Sequence, residues 1–353
     1  METKKRKARL VVSLLALGSI LTFLAFCMAG DSELGVPAAP PILSEAQPIP
    51  GLPYTINQPG SYYFTQNLSH TDRYTNAIEV NADNVTIDLA GYSLIGPSAT
   101  SGTSNGIHMN GRKNVEICDG TVTNFGSNGI YEANDVQASG HRVIAIRATS
   151  NGGHGILLWG SNHIVRDCTA TFNCFAISSG FGAITCGGLS MVTDNVASYN
   201  GIVGIMTGSG CTICDNTVSS NYVGILPWFG CSVVNNTVSY NDTEGVKVTQ
   251  NGNLIKGNTL RSNETGISVS GSGNSIEGNL VTNSVVGINF SSSQNVYANN
   301  RALYNTTNYG GSVPTPPFDG GGNIGAGTLA GSNMGIELQI EAMQVPIDRP
   351  GTE

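Results

Sequence analysis

The sequence predicts an all-β solenoid of about ten coils, each built of three short strands separated by Asn-rich turns. Three observations predict it: a Gly-apolar pair recurring at a near-constant period, two series of asparagines in step with that pair, and a composition of 46 glycines with only 11% charged residues. Low charge with abundant glycine suits regular β structure with tight turns, and no stretch after residue 30 carries a 3.6-residue apolar period.

The repeat is visible by eye. Residues 213–225 read ICDNTVSSNYVGI, and VVNNTVSYNDTEGV follows at 233–246. The apolar member of the Gly-apolar pair falls at Ile205, Ile225, Val246, Ile267 and Ile288, in steps of 20, 21, 21 and 21. Upstream, Ile78, Ile107, Ile130, Ile156 and Ile177 continue the column, the longer steps being loop insertions.

A structural ladder is expected of Asn195, Asn216, Asn236, Asn258, Asn279 and Asn299, with Cys168 in that place one coil earlier. A second series, Asn173, Asn200, Asn221, Asn241 and Asn263, follows five residues behind. Three residues before the first series stand Val165, Val192, Ile213, Val233, Ile255, Ile276 and Val296, an inward apolar stack. Asparagine tolerates left-handed backbone, and amides stacked coil on coil at about 4.8 Å can bond to one another. One coil cannot bury its apolar face alone, so the phrase must be repeated.

These phrases resemble the parallel β-helix repeats of the right-handed parallel β-helix (pectin-lyase-like) superfamily, over residues 53–305. The opening coil, YTINQPGSYYFTQNLSHTDRYTNAIEVNADNVTIDLAGYSLIG, is similar to the first coil of many secreted bacterial β-helix proteins. The resemblance implies a right-handed parallel β-helix whose ligands lie on the outer face of one sheet. The solenoid is expected over 51–305, with 306–353 as a closing loop and C-terminal cap.

The N-terminus predicts export. Lys4, Lys5, Arg6, Lys7 and Arg9 precede an apolar run from Leu10 to Ala29, the layout of a secretory signal with cleavage near Ala29. The alternatives are an anchor retained through residues 10–29 and lipidation of Cys27. Residues 30–50 are a Pro-rich spacer. Export places the chain in the periplasm, at the cell surface or in the medium, touching membrane only through its N-terminal segment. Removing residues 1–29 leaves 11 basic and 23 acidic residues, a net charge of −12, which argues against nucleic acid as a partner. A monomer is expected.

Cys211 and Cys231 stand at matching places in adjacent coils, placed either to form a disulfide or to stack as buried thiols. Cys211-Thr-Ile-Cys214 has C-x-x-C spacing, but strand alternation turns its two side chains to opposite faces, so no metal or redox site is assigned. Seven N-x-[ST] sequons, at Asn67, Asn84, Asn235, Asn241, Asn263, Asn289 and Asn305, arise from a chain built of Asn-x-Thr turns. No cofactor is evident; Asp and Asn turns offer oxygen ligands suited to calcium, without any recognisable calcium loop.

If the Gly-apolar strand carries function, its outward residues lie one and three places after the inward Ile. The first row reads His108, Tyr131, Leu157, Ser178, Met206, Leu226, Lys247, Ser268 and Asn289; the second holds Trp159, Gly180, Gly208 and Trp228. The two tryptophans stand three coils apart, about 14 Å, and sugars stack on such rings. Trp159 and Trp228 are therefore the expected polysaccharide- or glycoconjugate-binding residues, against the alternative that they pack under the loop near Gly180–Ser190.

Paired carboxylates are missing from both rows, which disfavours a hydrolase. A polysaccharide lyase or epimerase needs a base near neutrality, and the candidates are His154, Tyr131, Lys247 and His108. His154 lies in NGGHGI, which resembles a stretch of alginate epimerase coils, although the Asp-Pro-His motif of that family is missing. His163 and Arg166, before Asp167, read as a surface polar group on the next sheet. A non-catalytic surface rod or adhesin is the third alternative.

Overall fold

The computed structural model describes residues 46–133, 137–174, 182–316 and 318–325. The signal or anchor, Cys27, most of the spacer, the tail from 326 and the positions Ile177, Ser178 and Gly180 lie outside the described residues. Among those described, every regular element is a strand and every pairing is parallel.

Twelve strands, from Tyr54–Ile56 to Thr307–Gly311, form one continuous sheet, here the front sheet. The remaining strands make a second and a third face, seen in Met191–Thr193 and Val196–Ser198 of one coil. In two early coils the faces are joined by single long strands, Glu116–Thr123 and Arg142–Thr149, which turn the corner at the left-handed residues Asp119 and Ala145. The first strand, Gln47–Pro48, and the buried Ile49 draw the end of the Pro-rich segment into the solenoid. Thr307–Gly311 adds a last front strand within the segment expected to be a closing loop.

The inward column of the front sheet runs as the period predicts, including the early members Ile78, Ile107, Ile130 and Ile156. The exception is the Ile177 position. It is Ile184 that pairs with both Ile156 and Ile205. The long insertion precedes strand Gly182–Gly188, so the 28-residue step falls before this strand and not after it. Both Ala176-Ile177 and Ala183-Ile184 supply an apolar pair, and spacing alone picked the wrong one.

The last coil holds a second correction. Tyr297, not Val296, occupies the inward column beside Ile276, and Val296 is exposed. With it the ladder passes through Asn300, not Asn299: Asn279 donates from its backbone N (3.1 Å) and its Nδ2 (3.0 Å) to Asn300 Oδ1, and Asn300 donates likewise to Asn323 Oδ1. Asn299 is exposed at φ 57° and takes the left-handed turn residue just before the ladder position. Two adjacent asparagines made the choice ambiguous in sequence.

The ladder chemistry is repeated with little variation. Asn216 Oδ1 accepts from the backbone N and Nδ2 of Asn195, while its own Nδ2 donates to Asn236 Oδ1 (2.9 Å) and to Val192 O (2.9 Å). Such an amide satisfies turn N–H groups that lie too far inside to reach water. The second series behaves alike from Asn151 through Asn263, and Cys168 N donates to Asn195 Oδ1 as its position required. Asn241, Asn263 and Asn305 are thus buried ladder groups and unavailable as sequons.

A third ladder, at the corner after the front sheet, escaped sequence analysis because its members differ in type. Here His141, His163, Ser190, Cys211, Asn253, Asn274 and Asn295 each accept a backbone N–H from the preceding coil. Cys231 follows Cys211 in the same corner, and both are buried free thiols. The contact with Cys231, reinforced by burial, pushes the Cys211 thiol well above the usual thiol range.

The register of the last coil is directly testable. Asn300→Ala should destabilise the protein by about 2–4 kcal/mol, because it strands two buried donors of Asn279. Asn299→Gly, at a left-handed exposed position, should change stability by less than about 0.5 kcal/mol. Urea denaturation of the two variants checks this; equal effects would contradict a ladder that runs through Asn300.

Candidate functional site

Pairing along the front sheet sets Thr55, Glu79, His108, Tyr131, Leu157, Thr185, Met206, Leu226, Lys247 and Ser268 in one outward row. Thr185 takes the place expected of Ser178. Lys247 stands six strand steps from His108, about 29 Å, and its Nζ is held by Glu244 Oε1 at 2.9 Å. It does not join the other candidates.

His154 does not lie on the outer face. Its backbone N donates to Asn128 Oδ1 (2.9 Å), ending a short ladder of Asn76, Asn105 and Asn128, and its ring bonds to Gly182 O. Only 4% of the residue is exposed, and burial pushes the imidazole down to about 4. It is a neutral structural group. His163, expected at the surface, is also buried: it accepts from His141 N, donates Nε2–H to Trp159 O (2.9 Å) and stacks on His141 at 4.9 Å. Burial, with a smaller push from His141, lowers it to about 4 as well. Arg166 and Asp167 do form the exposed ion pair, at 3.0 Å.

Beneath this corner lies a buried carboxylate. Glu132 points inward from the strand that presents Tyr131 outward, and its oxygens accept from Gly111 N (2.8 Å), Arg112 N (3.1 Å) and His141 Nε2 (3.2 Å). Those bonds account for a charge in the core.

His108 differs from every other histidine of the chain. Four of the five are buried in turns, whereas His108 is half-buried on the outer face. Glu79, one coil below, receives its Nδ1–H at 2.7 Å, and Asn76 Nδ2 fixes the other Glu79 oxygen at 2.9 Å. Nε2 is the ring nitrogen that Glu79 does not engage. The Tyr131 ring lies above, centroids 5.5 Å apart. Sequence reasoning missed Glu79 because the outward row was begun one coil too late; the Glu-Val pair after Ile78 was the available signal.

The tryptophans sit in different surroundings. A register shift between Leu158 and Ser161 places Trp159 in a β-bulge, where it is half-buried. Trp228 is 40% exposed and meets the exposed Phe229 edge to face at 5.8 Å. Between them the row holds Gly187 and Gly208. A Cβ on Gly187 would overlap Gly160 O, and one on Gly208 would lie 2.7 Å from Gly188 N, so the backbone of the adjacent coil fills the place a side chain would take, and Gly187 is buried.

Residues 223–315 match the family model described as "Right handed beta helix region". The chain has the fold of a right-handed parallel β-helix. Among solved structures this β-helix is similar to the Dettilon tailspike protein gp208, at 15% identity and TM-score 0.58, over 75% of this chain and 60% of the tailspike. It is also similar to the A-modules of the Azotobacter vinelandii mannuronan C-5 epimerases AlgE4 and AlgE6, at 13% identity and TM-scores of 0.45 and 0.44. Those alignments cover 69% and 79% of this chain and 78% and 88% of the modules. At such identities the likeness is one of fold, and the chain spans 60% of the tailspike's length. No curated protein sequence matches it.

The buried imidazoles of the β-helix predict acid sensitivity. His154 and His163 are depressed to about 4 in the folded state, so between pH 6.5 and 4 the unfolded chain binds protons that the fold refuses. Stability is complete above pH 6.5 and falls below it, by roughly 2–3 kcal/mol per imidazole at pH 4.5. His154→Asn, which keeps a ladder amide, should lose correspondingly less between pH 7 and 4.5 in urea titrations. A wild-type drop fully retained in that variant would contradict the assignment.

Proposed function

We infer that this β-helix engages a polysaccharide or glycoconjugate along the outer face of its front sheet. The observation that carries the reading is the exposed Trp228–Phe229 pair, with Trp228 in the same outward row as the half-buried Trp159. Exposed aromatic faces are costly in water and stack on the apolar faces of sugar rings. The basic-then-apolar N-terminus supports export, which would bring the chain to extracellular glycans. Tryptophan fluorescence of residues 30–353 should shift saturably with one member of a panel of neutral and acidic polysaccharides. Trp228→Ala with Phe229→Ala should weaken that binding at least about tenfold. No response to any glycan would leave the rod-like structural role.

A second reading, lyase or epimerase, is favoured by Glu79, His108 and Tyr131. The Glu79 carboxylate orients the imidazole so that Nε2 can take a proton from the carbon beside a uronate carboxylate. In elimination that C–H bond breaks, a C=C bond forms, the C–O bond to the next sugar breaks, and the Tyr131 phenol supplies a proton to the departing oxygen. In epimerisation the proton returns from the opposite face. Digestion of uronate polymers followed by ultraviolet absorbance of new unsaturated ends, or by NMR of the sugar configuration, tests it. His108→Gln should lower turnover at least about 100-fold without changing the melting temperature. An intact, unaltered polymer across a broad panel would eliminate this reading.

A further inference from the structure

The third face of the solenoid, remote from the site just described, carries features that folding does not require. At its corner each coil places a left-handed residue directly before the ladder position: Ser150, Phe172, Tyr199, Ser220, Tyr240, Ser262, Asn283 and, at the end, Tyr304. Serine serves this position in some coils at the same φ, so the corner needs no aromatic ring there. Yet Tyr240 is 57% and Tyr304 73% exposed, in a backbone region that bulky residues usually avoid.

Between these two tyrosines the adjoining sheet presents Arg261 and Arg301. Among the described residues, neither guanidinium has an ion-pair or side-chain hydrogen-bond partner, although acidic residues outnumber basic ones 24 to 16. The neighbouring outward positions are hydroxyls at Thr237, Ser239, Thr259 and Thr282, and leucines at Leu280, exposed and paired with Arg301, and Leu303. The bordering turn toward the second face, lined by Asp167, Asp194 and Asp215 in earlier coils, changes here to Asn235, Gly257, Gly278 and Asn299. The exposed acids Asp242 and Glu264 follow the ladder on the front-sheet side of the corner. On the strands of this half of the face, Thr237–Ser239, Thr259–Arg261, Leu280–Thr282 and Arg301–Leu303, the charges are Arg261 and Arg301 alone.

The geometry points to a second binding surface, formed by Tyr240, Arg261, Arg301 and Tyr304, that takes an anionic polysaccharide laid along the solenoid axis. The arginines lie two coil steps apart, about 10 Å along the axis, and the tyrosines three steps, about 14 Å. Guanidinium forks suit carboxylate or sulfate groups spaced along a polymer, the tyrosine rings suit sugar faces, and the threonine and serine hydroxyls suit sugar hydroxyls. Two arginines in a chain of net charge −8 are too few for a nucleic-acid footprint. Neutral glycans would lack the ionic contacts.

The test compares dextran sulfate with uncharged dextran of equal length by isothermal titration calorimetry on residues 30–353. Dextran sulfate should bind and dextran should not. Arg261→Ser with Arg301→Ser should weaken binding at least tenfold and flatten its salt dependence. Tyr240→Ser with Tyr304→Ser, which installs the residue other coils already use, should weaken it severalfold with an unchanged melting temperature. Trp228→Ala should leave it intact, separating this surface from the front-sheet reading. Three results would each overturn the proposal: undiminished affinity in the arginine variant, loss of binding in Trp228→Ala alone, or equally tight binding of an oligodeoxythymidine.

Discussion

The turn N–H groups are the constraint on which this molecule depends. A coil of about 21 residues closes three corners, and the backbone donors at each corner face the interior, where water cannot satisfy them. A side chain from an adjacent coil accepts each in turn, mostly the amide of an asparagine. Replacing one member therefore leaves a neighbour's donors empty, and the cost falls on two coils at once. Packing of Ile and Val columns supplies the bulk of the driving force, but the corners decide which residue stacks on which.

That division explains what was legible in the sequence. The period, the Ile column and two of the corner ladders were readable because a single residue type repeats there. Where residue types alternate, the reading failed: the third corner uses His, Ser, Cys and Asn in one functionally equivalent series, since each offers a lone pair to a backbone N–H. Where two equal residues stand side by side, as Asn299 and Asn300 do, periodicity cannot choose, and only the pairing of Tyr297 with Ile276 settles it. Ile184 was missed for the related reason that an insertion's position inside a long step leaves no periodic trace.

The candidate site was half legible. His108 and Tyr131 emerged from the outward row, while their alignment with Glu79 required the pairing of Ile78 with Ile107. His154 and Lys247 share the chemistry of a base but not its setting; one is a buried turn acceptor and the other an ion-paired surface group. Residue type thus nominated candidates that only burial and partners could sort. The same sorting leaves a single imidazole on the outer face, oriented by a carboxylate, in a chain that buries its other four histidines and gives His141 and His163 the acceptor role of a ladder asparagine.

The direction of the amide chains has a consequence for the ends of the rod. From Asn195 to Asn300 each amide donates toward the C-terminal coil, so the stack is polar, with unlike and mutually complementary termini. Two such rods could in principle join tip to base and continue as a filament. The described termini interrupt that continuity. At one, the two-residue edge strand ends on Pro48, which has no N–H to offer; at the other, irregular residues around Asp319, Asn323 and Ile324 cover the last coil through isolated bridges and the acceptor of Asn300. Among the described residues, regular pairing is therefore closed off at each edge by a few residues and not by the repeat itself.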